Sequence, residues 1–86
     1  MIKIILSRKL GELRISRYDL SKATGIRNPT ICDYWADAVD RVNLEHLDLI
    51  CEALHCDITD ILERTENDPP KIVIGDDGLP HPRDTD

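Results

Sequence analysis

Apolar residues recur every three or four positions through most of the first 62 residues, with polar and charged residues between them. This spacing is typical of helices with one buried face, and it predicts five short helices. The positions that we expect to face inward are Leu6, Leu10 and Leu13 in the first helix, Leu20 and Ala23 in the second, Ile31, Tyr34 and Trp35 in the third, Leu44, Leu47, Ile50, Cys51 and Leu54 in the fourth, and Ile61 and Leu62 in the fifth. The first helix should cover residues 7–14 and the fifth residues 58–64. The sequence therefore predicts an all-α fold, a compact five-helix bundle.

Capping signals mark where the second and third helices begin and end. Ser16 is an N-cap candidate, with Asp19 three residues later in a short version of the capping box. Gly25 follows the second helix, where a residue in the left-handed conformation is favoured. Asn28 precedes Pro29, so we expect Asn28 to cap the third helix and Pro29 to take its first helical position. Two short helices joined by so tight a glycine-containing turn predict a helix-turn-helix.

Two β-branched segments lie outside the helices, towards opposite ends of the chain. Residues 2–6, IKIIL, predict a strand or the lead-in to the first helix, and residues 71–75, KIVIG, predict a strand. A lone strand is not stable, so we expect the two segments to pair with each other or across a dimer. Because residues 76–86 are rich in Asp and Pro, we expect them to be mobile. These differences divide the chain into a helical domain, residues 1–65, and an acidic proline-containing tail, residues 66–86.

Charge is distributed unevenly along a chain whose formal net charge is −6. Residues 1–35 hold seven Lys or Arg against three Asp or Glu, a net of +4. Residues 36–56 hold one basic residue against five acidic ones, and residues 57–86 hold three against nine. A polyanionic partner responds mainly to charges within about 10 Å, the Debye length near physiological salt. The basic first part of the chain, which contains the predicted helix-turn-helix, is therefore compatible with nucleic acid.

The remaining chemistry argues against several other classes of protein. Cys32, Cys51 and Cys56 lack the spacing of a disulfide framework or a zinc site, so we expect packed thiols and no metal or cofactor. His46 is flanked by charged residues, and we expect it on the solvated face of the fourth helix. No apolar run approaches the roughly 20 residues of a membrane span, and no signal peptide is evident. We therefore expect a cytoplasmic protein. Since no nucleophile has a nearby base, we do not expect an enzyme.

The helix-turn-helix pattern has a family resemblance. Leu20, Gly25, Ile26, Ile31 and Tyr34 together resemble the Cro and lambda-repressor-like helix-turn-helix family. The likeness runs from about residue 4 to residue 62 and includes the segment NLEHLDLICEALHCDITDIL, which is similar to that family's fourth and fifth helices. The chain looks most like short variants that open with MIKI. The resemblance implies a transcriptional regulator, a repressor that binds double-stranded operator DNA as a homodimer through the helix at about residues 28–36.

The resemblance also implies which side chains contact DNA. They are Arg17, Arg27, Asn28, Thr30, Cys32, Asp33 and Arg41. Asn28 is either a partner for adenine N6 and N7 or only a helix cap, since one side chain cannot easily be both. Asp33 either accepts a hydrogen bond from cytosine N4 or repels phosphate. Arg41 would replace a backbone contact, because the family's Asn-Gly turn after the recognition helix is here ADAVDR.

A protein-interaction module is the alternative to a DNA-binding regulator. Such a module, of antitoxin or anti-repressor type, would keep the fold and bind a basic protein partner. The acidic middle and tail of the chain favour it, because an anionic surface repels DNA and attracts basic proteins.

Overall fold

The computed structural model describes residues 1–83, and these residues form four helices and two small antiparallel sheets. The helices are α1 (Leu6–Leu13), α2 (Arg17–Thr24), α3 (Asn28–Trp35) and α4 (Leu44–Leu54), followed by a 3-10 turn at Ile58–Asp60. The strands are β1 (Ile2–Ile4), β2 (Leu62–Arg64), β3 (Ile72–Ile74) and β4 (Pro80–Pro82). Among residues 1–83, no helix is long and apolar enough to cross a lipid bilayer.

The core is aliphatic apart from one tyrosine. Its buried side chains are Leu6, Leu10, Leu20, Ile26, Ile31, Tyr34, Leu47, Ile50, Leu54 and Ile61. Four predicted inward positions are wrong, because Leu13, Ala23, Trp35 and Leu44 are exposed. Each lies at or next to the end of its helix. Helical periodicity identified the buried face but not how far along each helix burial continues.

The predicted fifth helix is wrong beyond its first turn. Asp57 begins the 3-10 turn and forms a capping box with Asp60, and the chain then becomes β2. This strand pairs antiparallel with β1, so that Ile4 lies opposite Leu62 and Ile2 opposite Arg64. A short isolated helix is marginally stable in water, whereas the edge of β1 offers backbone partners along its whole length. The strand therefore replaces the helix.

The pairing that we predicted between the two β-branched segments is also wrong. β3 pairs instead with β4, with Ile72 opposite Pro82 and Ile74 opposite Pro80. Residues 76–83 thus form a turn and a strand where we expected a mobile segment, and the rest of that segment, residues 84–86, lies outside the described residues. Because proline has no backbone N–H, β4 contributes carbonyl groups and the N–H groups of non-proline residues only. The result is a two-stranded hairpin, and its apolar side chains are exposed.

Candidate nucleic-acid interface

The start of α2 is fixed by a side-chain cap. The Asp19 backbone N–H donates a hydrogen bond to Ser16 Oγ over 3.0 Å, as the sequence predicted. Ser16 is therefore the N-cap, and Arg17 is the first residue of the helix. The cap holds the Arg17 side chain at one end of α2, beside α3, which packs against the same helix.

The turn between α2 and α3 is held by side chains that the sequence analysis did not single out. Gly25 has φ 76°, and its N–H donates to the Ser21 carbonyl over 2.9 Å. Thr24 Oγ1 donates to the Leu20 carbonyl over 2.8 Å and accepts from the Ile26 N–H over 3.2 Å. Ser21 Oγ also donates to the Ile26 carbonyl. Ser and Thr commonly bond to nearby backbone in this way, so their positions around Gly25 were an available signal.

The start of α3 differs from the prediction in a way that matters for binding. Arg27, not Asn28, occupies the N-cap position, with φ −61° and ψ 140°, and its carbonyl accepts a hydrogen bond from the Ile31 N–H over 3.1 Å. Asn28 is the first helical residue and Pro29 the second. Within residues 1–83 the Asn28 side chain makes no hydrogen bond, and the residue is exposed. The prediction that Asn28 caps the helix is therefore wrong, and its amide group is free for other contacts.

Six of the seven predicted contact residues lie on α2 and α3 or at the turn between them. Arg17, Arg27, Asn28 and Asp33 are exposed, whereas Thr30 and Cys32 are half-buried. The seventh, Arg41, is exposed in the connection between α3 and α4. Over the part of the chain that the structure describes, no carboxylate oxygen lies within 4.0 Å of the guanidinium nitrogens of Arg17, Arg27 or Arg41. All three cationic groups are consequently available to an anionic partner.

Arg17 joins α2 to α3 through two contacts with the last turn of α3. Its guanidinium carbon lies 4.4 Å from the centre of the Trp35 ring, over the ring face. Its Nη1 atom lies 3.9 Å from Cys32 Sγ. Sequence reasoning placed Trp35 in the core and so missed this contact. The spacing of Cys32 and Trp35, three residues apart, was the available signal because it puts both on one face of a helix.

The opposite side of α3 is fastened to α4 by a buried tyrosine. Tyr34 is 4% exposed, and its hydroxyl lies 2.9 Å from His46 Nδ1. The Asn43 N–H donates to the Tyr34 oxygen over 3.4 Å. The tyrosine O–H can then donate to a neutral His46 whose proton is on Nε2. His46 is half-buried, so its predicted place on the solvated face is wrong; it helps to fix the orientation of α3.

The chain after α3 is also held in place. Asp37 adopts φ 55°, and its Oδ1 atom accepts a hydrogen bond from the Ile4 N–H over 3.0 Å. The Ala38 N–H donates to the Asp33 carbonyl over 2.9 Å. A non-glycine residue in the left-handed region is uncommon, and Asp tolerates it better than most residues. These bonds connect the end of α3 to β1, in the segment that replaces the family's Asn-Gly turn.

The other two cysteines lie away from this surface. Cys51 and Cys56 are half-buried against the core, and burial raises the pKa of both thiols. Among residues 1–83, no group of three or more His, Cys, Asp or Glu side chains is placed to hold a metal ion.

The comparison with protein families agrees with this geometry. A family model described as "Cro/C1-type HTH DNA-binding domain" matches residues 6–67, which include all four helices. The chain belongs to this family. The resemblance that we read from the sequence is therefore confirmed. A search of curated proteins found no match.

As a member of the Cro/C1-type family, the protein is a DNA-binding regulator with a helix-turn-helix formed by α2 and α3. In such a motif the second helix lies in the major groove and the first crosses the DNA backbone. In this Cro/C1-type protein the exposed start of α3 carries Arg27 and Asn28, and α2 begins with Arg17.

Proposed function

We propose that this protein is a cytoplasmic transcriptional repressor that binds a near-palindromic operator as a homodimer, with α3 in the major groove. The exposed start of α3 carries the proposal, since the side chains of Arg27 and Asn28 are both free of polar partners within residues 1–83. Two copies would place their α3 helices about 34 Å apart, one turn of B-DNA. We further propose that residues 1–65 are the DNA-binding domain and that residues 66–86 are a separate appendage.

The chemistry of these side chains suits reading of base edges. A primary amide can donate to adenine N7 and accept from adenine N6, and Asn28 is free to do so because it does not cap α3. Arg27 suits guanine O6 and N7 or a phosphate oxygen. Thr30 suits a phosphate, and Cys32 would lie against a base edge one turn further along α3.

Two acidic features limit where DNA can lie. Asp33 is exposed on α3, so in the groove it requires a cytosine N4 donor or else repels phosphate. The acidic residues concentrated after residue 35 would repel DNA from the rest of the molecule. The DNA would consequently lie against α3 and against Arg17 at the start of α2, in the basic part of the chain, with Arg41 as an additional contact.

A fluorescence-anisotropy titration tests the proposal. The labelled duplexes carry the DNA upstream of the protein's own reading frame, a sequence selected from random DNA, and a scrambled sequence, each at two salt concentrations. We expect tighter binding to one of the first two and a steep salt dependence, because phosphate contacts release counterions. Equal, weak binding to all three duplexes would contradict sequence-specific function.

Variants of the protein then identify the reading surface. Arg27→Ala with Asn28→Ala should abolish the preference for the specific duplex, since lost base contacts cost about 1–3 kcal/mol each. Arg64→Ala is the matched control, because it removes one positive charge from an exposed residue of β2, outside the proposed DNA contacts. If the control weakens specific binding as much as the double substitution does, α3 is not the reading helix.

A protein-interaction module is the second candidate, and the exposed Asp33 in the middle of the α3 surface favours it. Such a module would bind a basic protein through Asp33 together with the acidic residues that follow residue 35. Affinity capture from lysate separates the two functions. A stoichiometric basic protein recovered without DNA, and lost on Asp33→Ala, would favour the module; DNA recovered alone would favour the repressor.

A further inference from the structure

Trp35 is the only tryptophan of the chain, and it lies at the surface beside the proposed DNA contacts. Trp35 is the last residue of α3 and is 39% exposed, whereas its neighbour Tyr34 is buried. The exposed ring is covered on one face by the Arg17 guanidinium, at 4.4 Å. A cation within about 6 Å of an indole centre is attracted by the negative face of the ring. The Trp35 ring on α3 therefore restrains the Arg17 side chain on α2.

The contact with the indole leaves most of the Arg17 donors without a hydrogen-bond partner. A guanidinium carries five N–H donors in one plane. Of the donors of Arg17, only Nη1 has a partner within residues 1–83, the weak sulfur acceptor of Cys32 at 3.9 Å. The remaining donors can still form the paired hydrogen bonds that phosphate oxygens accept.

Restraint before binding also lowers the entropic cost of binding. A free arginine side chain loses much rotamer freedom when DNA immobilises it, whereas a stacked one has already lost part of that freedom. α2 is the first helix of the motif, the one that crosses the DNA backbone. Its first residue, Arg17, is thus placed to meet a phosphodiester rather than a base edge.

We propose that Trp35 is a positioning residue that holds the Arg17 guanidinium in place, ready to bind a phosphodiester of the DNA backbone. This inference rests on the proposed DNA binding through α2 and α3. It assigns to Trp35 no base contact of its own. Removing the ring should therefore weaken DNA binding only as long as Arg17 is present.

A second cation–aromatic pair on α2 supplies an internal control. Lys22 Nζ lies 5.4 Å from the centre of the Tyr18 ring, and Tyr18 is 62% exposed. Both residues belong to α2, so their contact does not join the two helices. Tyr18→Leu removes an exposed aromatic ring from the same helix without freeing Arg17.

Fluorescence of the DNA-free protein tests the stack itself. Arg17→Ala uncovers one face of the indole, so its emission should move to longer wavelength, whereas Arg27→Ala should leave the spectrum unchanged. Identical spectra for the wild type and Arg17→Ala would overturn the inference without reference to DNA. Far-UV circular dichroism checks that each variant remains folded.

A double-mutant cycle then tests the role in binding, on a duplex of about 30 base pairs selected from random DNA, long enough for two half-sites. Trp35→Leu should weaken binding about two- to five-fold, the worth of an exposed cation–π contact, and should have no further effect in the Arg17→Ala background. Trp35→Phe, which keeps an aromatic face, should restore most of the affinity, and Tyr18→Leu should lose none.

Each outcome separates the inference from the proposed function. Specific binding by the wild type with equal losses from Trp35→Leu in both backgrounds would overturn the inference alone, since Trp35 would then act independently of Arg17. A loss with Trp35→Phe as large as with Trp35→Leu would also overturn it. A wild-type protein that binds no duplex specifically would overturn the proposed function, and the positioning role with it.

Discussion

Residues 17–35 form a helical hairpin of α2 and α3, and residues 71–83 form a β-hairpin of β3 and β4. Each is a hairpin of two elements joined by a turn with a glycine at positive φ, 76° for Gly25 and 78° for Gly78. The helical hairpin buries side chains from both helices and from the turn, namely Leu20, Ile26, Ile31 and Tyr34. The β-hairpin leaves its apolar side chains, Ile72, Val73, Ile74 and Leu79, from 43% to 70% exposed.

This difference shows that a turn sets a geometry but does not supply stability by itself. The helical hairpin is stabilised by a shared core. The core fixes the orientation of α3 and therefore the direction in which its exposed side chains point. The β-hairpin relies on its own backbone bonds and on Asp77, whose Oδ1 accepts from the Leu79 N–H over 2.9 Å. An isolated two-stranded hairpin is marginally stable in water. We therefore expect the two regions to respond differently to equivalent substitutions.

Truncation of one apolar side chain in each hairpin should give the largest contrast. Ile31 is 0% exposed, so Ile31→Ala should lower the free energy of unfolding by about 2–5 kcal/mol through lost burial and a cavity. Val73 is 43% exposed, and Val73→Ala should change the free energy of unfolding by less than about 0.5 kcal/mol. Urea denaturation followed by circular dichroism measures both. Similar losses would mean that Val73 is covered in solution.

The two turn glycines give a matched pair of intermediate size. An added Cβ meets no atom within 4 Å at either position, so alanine costs only the left-handed backbone conformation, roughly 1–2 kcal/mol. Gly25→Ala should reduce global stability by that amount. Gly78→Ala should leave the urea midpoint unchanged and speed hydrogen exchange at the Gly75 N–H, which donates to the Leu79 carbonyl over 2.9 Å. A shifted urea midpoint for Gly78→Ala would contradict this expectation, because it would mean that the β-hairpin unfolds cooperatively with the helices.

The starts of the two helices in the helical hairpin should also differ. Ser16→Ala removes the cap of α2 and should cost about 1 kcal/mol in a urea melt. Asn28→Ala should cost less than about 0.5 kcal/mol, because Asn28 does not cap α3. If Asn28→Ala lowers the stability as much as Ser16→Ala does, Asn28 caps α3 in solution after all. Its effect on DNA affinity would then no longer indicate a base contact alone.

The smallest expected effect is a pH dependence confined to the β-hairpin. The Leu79 N–H, and then His81, lower the pKa of the Asp77 carboxyl from its ordinary value. Such a carboxyl stabilises the hairpin above its unfolded pKa, about 4, and that stabilisation is lost as the pH falls through the lower folded value. An NMR titration of the Leu79 amide should report this loss, with the Ile31 amide unchanged. Asp77→Asn, which keeps an acceptor oxygen, should abolish the titration.

Local signals account for the part of the molecule that was predicted well. The correctly predicted features are Ser16 as a cap, Gly25 as the left-handed residue, and Leu20 and Ile31 as inward positions. Each depends only on residues close by in the chain, so it can be predicted from the sequence without knowing the fold. The predicted strand pairing and fifth helix depended on partners far apart in sequence, such as Ile4 and Leu62. Propensity cannot choose between a short helix and a strand when the deciding partner is so distant.

The candidate site divides in the same manner. Arg17, Arg27 and Asn28 could be named from their places in the motif, because a helix-turn-helix sets which positions face outward. The stacking of Arg17 on Trp35 could not, since it depends on how closely α2 and α3 pack and on where α3 ends. The N-cap of α3 also lies at Arg27 and not at Asn28, which leaves the Asn28 amide free.

The sequence alone thus determined the helix-turn-helix, its turn and the basic character of its surface, because caps, glycine and charge act locally. The tertiary structure decided the pairing of β1 with β2 and the contact of Trp35 with Arg17. Each of these joins groups whose meeting depends on the packing of the whole chain. Backbone pairing and aromatic stacking need both partners in place, and only the folded core brings them together.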